Sequence, residues 1–236
     1  MRSAAAIVRM ILAAVQRRGT CAVALAGGST PRRLYQRIAQ EHGVSIPWTQ
    51  VHLFWGDERY VPHDDPRSNY RMARETLIDH VPVPSGNVHP MPTDLADADE
   101  AASSYQALLK QHFPHRPPLF DLMLLGLSAD GHIASLFPGS PALDVTDRLV
   151  VAARVPADPP LRLTLTFPAI NSAELIYFIV AGSAKANALL LALGASGDVT
   201  STPSLGVRPA SGRIAWWVDA AAAARLDPAM RATLRL

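Results

Sequence analysis

The stretch Phe120-Asp-Leu-Met-Leu-Leu-Gly-Leu-Ser-Ala-Asp-Gly-His-Ile-Ala-Ser-Leu-Phe-Pro-Gly139 decides the fold. Leu122 to Leu125 is a short apolar run without alternation, the pattern of a strand buried on both faces of a parallel sheet. A tight loop follows that presents Asp130, Gly131 and His132, and then a helical turn that Pro138 and Gly139 end. In an open parallel sheet, ligands bind beyond the carboxyl ends of the strands. A histidine placed there can carry chemistry, so the rest of the chain is weighed by what it brings to the same place.

Upstream, residues from about Ala4 to Arg17 set Ile7, Ile11, Ala14 and Val15 on one helical face, and Gly19 ends that helix. Cys21 to Ala26 reads as a buried strand, with a helix from Pro31 to about Gln40 behind it. Pro31 suits the first helical position, and Ser29 or Thr30 the cap before it. Val51 to Trp55 is the next strand, closed by Gly56-Asp-Glu-Arg59. Ser68 or Asn69 caps a helix to about Asp79, Val81 to Thr93 is loop-like, and Ala96 to Phe113 returns to helical spacing. Downstream come strands at Arg148–Val155, Glu174–Ala181 and Ile214–Val218, with a helix at Ala184–Leu193. Strands alternating with helices predict an α/β fold around a mostly parallel sheet, in a single domain over residues 1–236.

Almost half of the 236 residues are apolar (49%), enough for a sizeable core, and the net charge is only +2. No run of like charges supplies the clustered Lys and Arg that nucleic-acid binding needs. Cys21 is the one cysteine, which excludes an internal disulfide and a Cys-rich zinc site and fits a reducing, cytoplasmic setting. Arg9 interrupts the apolar N-terminal run, so neither a signal peptide nor a membrane span is expected. His63, His80, His89, His112 and His115 have no metal-ligand spacing and read as surface residues. No metal, no cofactor, no nucleic-acid partner and no membrane partner are expected.

Two further strand ends carry possible chemistry. Gly27-Gly-Ser-Thr-Pro31 joins a strand to a helix, where Gly27 and Gly28 let the backbone approach a ligand and the helix start offers unpaired N–H groups to an anion. The hydroxyls of Ser29 and Thr30 can add bonds to phosphate oxygens. The motif is neither a dinucleotide signature nor a Walker loop, so a phosphate cradle and a plain capped turn both stay open. At Trp55-Gly-Asp-Glu-Arg59, Asp57 places a carboxylate beside Arg59, whose planar fork suits phosphate. Taken alone, that motif reads more simply as a solvated turn with local ion pairs. Arg162 begins an alternating extended run, Pro159 to Thr166. Lys185 sits in a first helical turn, where a cation opposes the helix dipole unless an anion is near. Gly126-Leu-Ser-Ala-Asp130 approaches the G-x-S-x-G nucleophile elbow around Ser128, but its fifth position is Asp where the elbow needs Gly.

In this order the motifs resemble the 6-phosphogluconolactonase family, within the larger group that includes glucosamine-6-phosphate deaminases and isomerases. The resemblance rests on Ala24 to Pro31, Trp55 to Arg59, Ser68-Asn-Tyr70, Gly126 to His132 with Ala134 to Gly139, Arg162 to Thr166, and Gly182 with Lys185. It implies a Rossmann-like three-layer α/β sandwich that uses no nucleotide and needs no metal. Departures are Ser128 where the family usually has Gly, Ala26 where it has Ser, and a start close to the first helix where the family commonly has an extra segment.

The resemblance also implies an activity, hydrolysis of 6-phospho-D-glucono-1,5-lactone in the oxidative branch of the pentose phosphate pathway. His132 would be the general base that activates water, and Asp130 would orient its ring. Gly27, Gly28, Ser29, Thr30, Asp57, Arg59, Arg162 and Lys185 would hold the substrate and its phosphate. In the deaminases a Glu five positions after the histidine takes part in opening the sugar ring. Here that position is Phe137, which moves no protons, so lactone hydrolysis is favoured over deamination. A sugar-phosphate sensor domain would use the same phosphate loops without the base, but no helix-turn-helix pattern precedes the first helix.

Overall fold

Why the strands lie where they do follows from their composition. Cys21–Leu25 (β1), Leu122–Leu125 (β4) and Leu175–Val180 (β7) are apolar throughout and buried at every position, so both faces of the sheet they form are covered. A computed structural model describes residues 2–114, 119–194, 197–209, 212–232 and 234. Val51–Trp55 (β2) and Arg213–Val218 (β8) complete a five-stranded sheet in the order β2-β1-β4-β7-β8. All its pairings are parallel. Asp121 locks the start of β4 to β1 by accepting from the Ala22 N–H at 2.8 Å while it pairs with Arg18.

The helices Arg2–Arg18 (α1) and Ser29–His42 (α2) bring Ile7, Ile11, Tyr35 and Ile38 against Val23, Leu25, Leu53 and Leu124 on one face. Each large side chain buried this fully contributes about 1.5–3 kcal/mol. On the other face, Phe54 meets Phe113, just past helix Ala98–His112 (α4), at a ring separation of 5.5 Å. The three layers of the expected sandwich are therefore present. Helix Asn69–Thr76 (α3) follows β2, and Phe167–Ile170 (α5), Ala186–Leu193 (α6) and Pro228–Ala232 (α7) complete the set. Because β2 and β4 flank β1 on opposite sides, the loops after β1 and β4 part at the switch point where such sheets bind ligands.

Four expectations need correction. Gly56 to Arg59 is not a solvated turn: Asp57–Arg59 is a strand (β3) pairing antiparallel with Leu161–Leu165 (β6), which pairs in turn with Val150–Arg154 (β5). This second sheet, β3-β6-β5, stands apart from the parallel one. The segment after His132 is not a helical turn but a tight turn with an Ile133↔Leu136 bridge, and Ala134 has φ 46°. Tertiary bonds outbid the helix there, since the Ser135 hydroxyl donates to Asp57 Oδ2 at 2.7 Å and its N–H to Thr164 Oγ1 at 3.2 Å.

Third, α2 begins at Ser29, so its cap is Gly28, at φ 103°, and neither the Ser29 nor the Thr30 hydroxyl caps it. Fourth, His89 and His112 are not surface residues but half-buried together with His52. His63 is half-buried too and bonds the Met91 carbonyl, His80 is exposed, and His115 lies outside the described residues. Among the described residues no helix is long and apolar enough to cross a membrane.

Candidate active site

Three strand ends and the second sheet converge on one open cleft of about 350 Å³. Gly27, Gly28, Ser29 and Thr30 after β1, Asp57 and Arg59 of β3, His132 after β4, Arg162 of β6 and Lys185 before α6 all line it. Asp130 is not on the wall but stands behind the histidine.

His132 is held from two sides. Its Nδ1 lies 2.8 Å from Asp130 Oδ1, which also accepts from the His132 N–H at 3.2 Å. A carboxylate only accepts, so the ring proton sits on Nδ1 and the lone pair on Nε2. Phe137 stacks on the imidazole at a centroid distance of 3.8 Å and an interplanar angle of 22°. Burial lowers the His132 pKa below its ordinary value, Asp130 and more distantly Asp57 oppose that shift, and Lys185 adds to it. The result is a ring that is neutral at neutral pH and fixed in the tautomer a general base needs.

Cationic side chains and a helix start from both sheets face the same cleft. Arg59 and Arg162 are direct partners across β3 and β6, and like charges so placed destabilise a sheet unless an anion lies between them. Burial lowers the Arg162 pKa, and the Arg59 charge adds to the shift. Arg59 donates to the Arg67 carbonyl at 2.6 Å, while its buried Nε has no partner among the described residues. Arg162 is anchored more fully, through Nε to Pro159 O at 2.8 Å and Nη2 to Asp158 O at 3.2 Å. The first intrahelical bond of α2 runs from the Arg32 N–H to Gly28 O, which leaves the Ser29 and Thr30 N–H groups available at the positive end of the helix. The Lys185 ammonium makes no hydrogen bond or ion pair with any described residue, while its backbone N–H donates to the Gly182 carbonyl at 3.0 Å.

Asp57 lines the cleft, yet its carboxylate is occupied: Oδ2 accepts from Ser135 at 2.7 Å and Oδ1 from Asn69 Nδ2 at 3.3 Å. Those contacts tie the histidine loop to β3 and fit an anchoring part better than contact with phosphate. Asn69 Nδ2 also donates to the Asp57 carbonyl at 2.9 Å. Gly27 makes room for it, because a Cβ there would stand 1.9 Å from Asn69 Oδ1. Ser128 is on the wall, and its hydroxyl donates to no described group.

Sequence reasoning missed Glu58. It is 1% exposed and accepts from the N–H groups of Arg59, Asn69 and Tyr70, each at 2.7 Å, and from the Ser68 hydroxyl at 3.1 Å. Burial pushes its carboxyl up while those three N–H bonds pull it down. Glu58 thus seats the start of α3 on β3, which places Asn69. A signal was present, since alternation along β3 puts Asp57 and Arg59 on one face and Glu58 on the other.

The family model for glucosamine-6-phosphate isomerases/6-phosphogluconolactonase matches residues 1–216. A 6-phosphogluconolactonase of Synechocystis is 42% identical over 230 residues, covering 96% of this chain and 93% of its own length. One of Mycobacterium tuberculosis is 43% identical over 227 residues, covering 93% and 91%. The structure of a 6-phosphogluconolactonase from Trypanosoma brucei superposes with a TM-score of 0.85 at 30% identity, covering 96% of this chain and 94% of that one. Likeness of this extent, over the strand ends that build the cleft, makes the chain a member of the glucosamine-6-phosphate isomerase/6-phosphogluconolactonase family.

Proposed function

We propose that the chain hydrolyses 6-phospho-D-glucono-1,5-lactone to 6-phospho-D-gluconate, the lactonase step of the oxidative pentose phosphate pathway, as a cytoplasmic monomer. The observation that carries the reading is the His132–Asp130 pair at 2.8 Å, set in a cleft with two opposed arginines and a free helix start. His132 Nε2 takes a proton from water as the water oxygen attacks C1 of the lactone. The tetrahedral intermediate collapses by breaking the bond from C1 to the ring oxygen, which receives the proton from His132. The reaction as written uses one base and passes nothing through a metal or cofactor.

The 6-phosphate rests between Ser29, Thr30, Arg59, Arg162 and Lys185. Binding this remote group positions C1 against the base. Ring opening of an amino sugar needs a further proton shuttle. At the position that would supply one, Phe137 is 6% exposed and packed on the histidine. Relatives named 6-phosphogluconolactonase at 42% and 43% identity support the same choice.

The test is His132→Ala with freshly made lactone followed by NMR. The turnover number should fall by about 10²–10⁴-fold, the usual yield of general-base catalysis, with KM little changed. An unchanged kcat would sink the assignment. Loss of activity in Ser128→Ala alone would shift it to an esterase mechanism.

A further inference from the structure

Nothing in the lactonase reaction uses the cluster of His52, His89 and His112. His52 leaves the edge strand β2 on the same face as Phe54, His89 follows the Leu53↔Val88 bridge, and His112 ends α4. His52 precedes Gly56 at the cleft by four residues, about 13 Å of strand, so the cluster stands apart from the active site.

The geometry is that of a ligand set. One nitrogen from each ring lies within 4.8 Å of the others. His52 Nδ1 and His89 Nε2 are 3.1 Å apart. Tetrahedral zinc with bonds of about 2.0–2.1 Å holds its nitrogens about 3.3–3.4 Å from one another. One pair is thus at ligand spacing already, and the third nitrogen needs to close by at most roughly 1.5 Å. The His52 and His89 rings stack at 5.4 Å, while His112 meets them edge-on at 4.6 and 5.2 Å. Phe54 and Phe113 wall the group on its inner side, at 5.1 and 4.8 Å from the His112 ring. An aromatic cluster could be filled by phenylalanine, but three imidazoles with converging nitrogens are the donor set of borderline transition metals.

We propose that His52, His89 and His112 bind one divalent transition-metal ion of the Zn²⁺ class, with water in the fourth position. Neutral imidazoles supply the lone pairs, and the proton now shared between His52 and His89 moves to the outer nitrogen of its own ring, so no net proton is released. The ion cross-links an edge strand, a loop and a helix end that lie far apart in sequence. It therefore stabilises the folded chain by mass action without entering the reaction.

The test uses the full chain freed of metal by chelator, titrated with Zn²⁺ and, for its spectrum, with Co²⁺. One ion per chain, a Co²⁺ absorption of four-coordinate intensity and a higher Tm are expected. His52→Gln and His112→Gln should each weaken Zn²⁺ binding by at least the 10–100-fold that loss of a supporting partner costs, while still hydrolysing lactone. His132→Ala should bind the ion undiminished. Side-chain nitrogen resonances of the intact protein keep the test independent of any variant that fails to fold: Zn²⁺ should shift those of the three histidines. Failure of Zn²⁺ to bind saturably, full affinity in both Gln variants, or shifts confined to other histidines would overturn the proposal.

Discussion

Asp130→Asn separates orientation of the base from its electrostatics. In the native site Asp130 Oδ1 stands 2.8 Å from His132 Nδ1, with the Asp130 side chain 49% and the His132 side chain 21% exposed. A carboxylate and an imidazolium whose charges lie about 4 Å apart attract by about 1 kcal/mol in water and about 4 kcal/mol at an effective dielectric constant of 20. Exposure of Asp130 favours the lower part of that range, about 1–2 kcal/mol. The sign follows from the opposing influences on His132: burial lowers its pKa and Asp130 raises it. Removing the charge leaves burial less opposed, so the acid limb of the kcat/KM profile, which reports the free base, should move to lower pH.

The plateau should fall as well, for a different reason. The weaker base alone costs little, but an Asn amide that donates to Nδ1 moves the ring proton to Nε2, the wrong tautomer for a base. Fully buried triads lose about 10⁴-fold from the same change, and the exposed Asp130 should give less, about 10–100-fold in kcat. A profile from pH 4 to 9, recorded by NMR on fresh lactone with allowance for its spontaneous hydrolysis, measures both. An acid limb that moves up, or one that stays put with an undiminished plateau, would refute the assigned role of Asp130.

Two other outcomes follow from the cradle. Arg59→Ala should raise KM by about tenfold or more, as loss of a charge-assisted pair of 1.5 kcal/mol or above requires, with kcat largely kept; inorganic phosphate should also raise the variant's Tm less than the native one's. Lost turnover at intact affinity would contradict the phosphate role. Gly27→Ala places a Cβ 1.9 Å from Asn69 Oδ1, so Asn69 must leave Asp57. That overpacking should cost about 1–3 kcal/mol in chemical denaturation and raise KM, whereas native stability and KM would mean that Asn69 holds nothing in place.

Patterns local in sequence were legible, and pairings between distant segments were not. Leu122 to Leu125 and Leu175 to Val180 announced themselves because strands buried on both faces need no polar positions, and His132 because it follows such a strand. The motif at Asp57 to Arg59 looked like a solvated turn, since three charged residues seldom make a buried strand. It becomes one only because β6 supplies its ladder and the start of α3 satisfies Glu58. The register that sets Arg59 opposite Arg162 is a property of two strands, and no spacing within either one encodes it. His89 and His112 passed as surface residues, and His52 as part of a strand, for the same reason, since each comes from a different element. Ser29 and Thr30 were read as caps by residue type, yet Gly28 takes the cap in a backbone geometry that frees both hydroxyls for the cleft.

On the proposed mechanism, Phe137 both equips the base and restricts the chemistry. A lactone carbonyl is attacked by water, so the base must be neutral before the reaction and able to carry a proton during it. Stacking at 3.8 Å shields one face of the imidazole from water and makes its charged form costlier. Asp130, bonded in the ring plane, returns part of that cost and fixes the tautomer. A glutamate in place of Phe137 would bring a second proton carrier to the ring, as sugar ring opening demands, but its charge would also favour the imidazolium and leave less free base at neutral pH. Hydrolysis with one base and proton shuttling with two therefore place opposite demands on this position, and the packed phenyl ring meets the first.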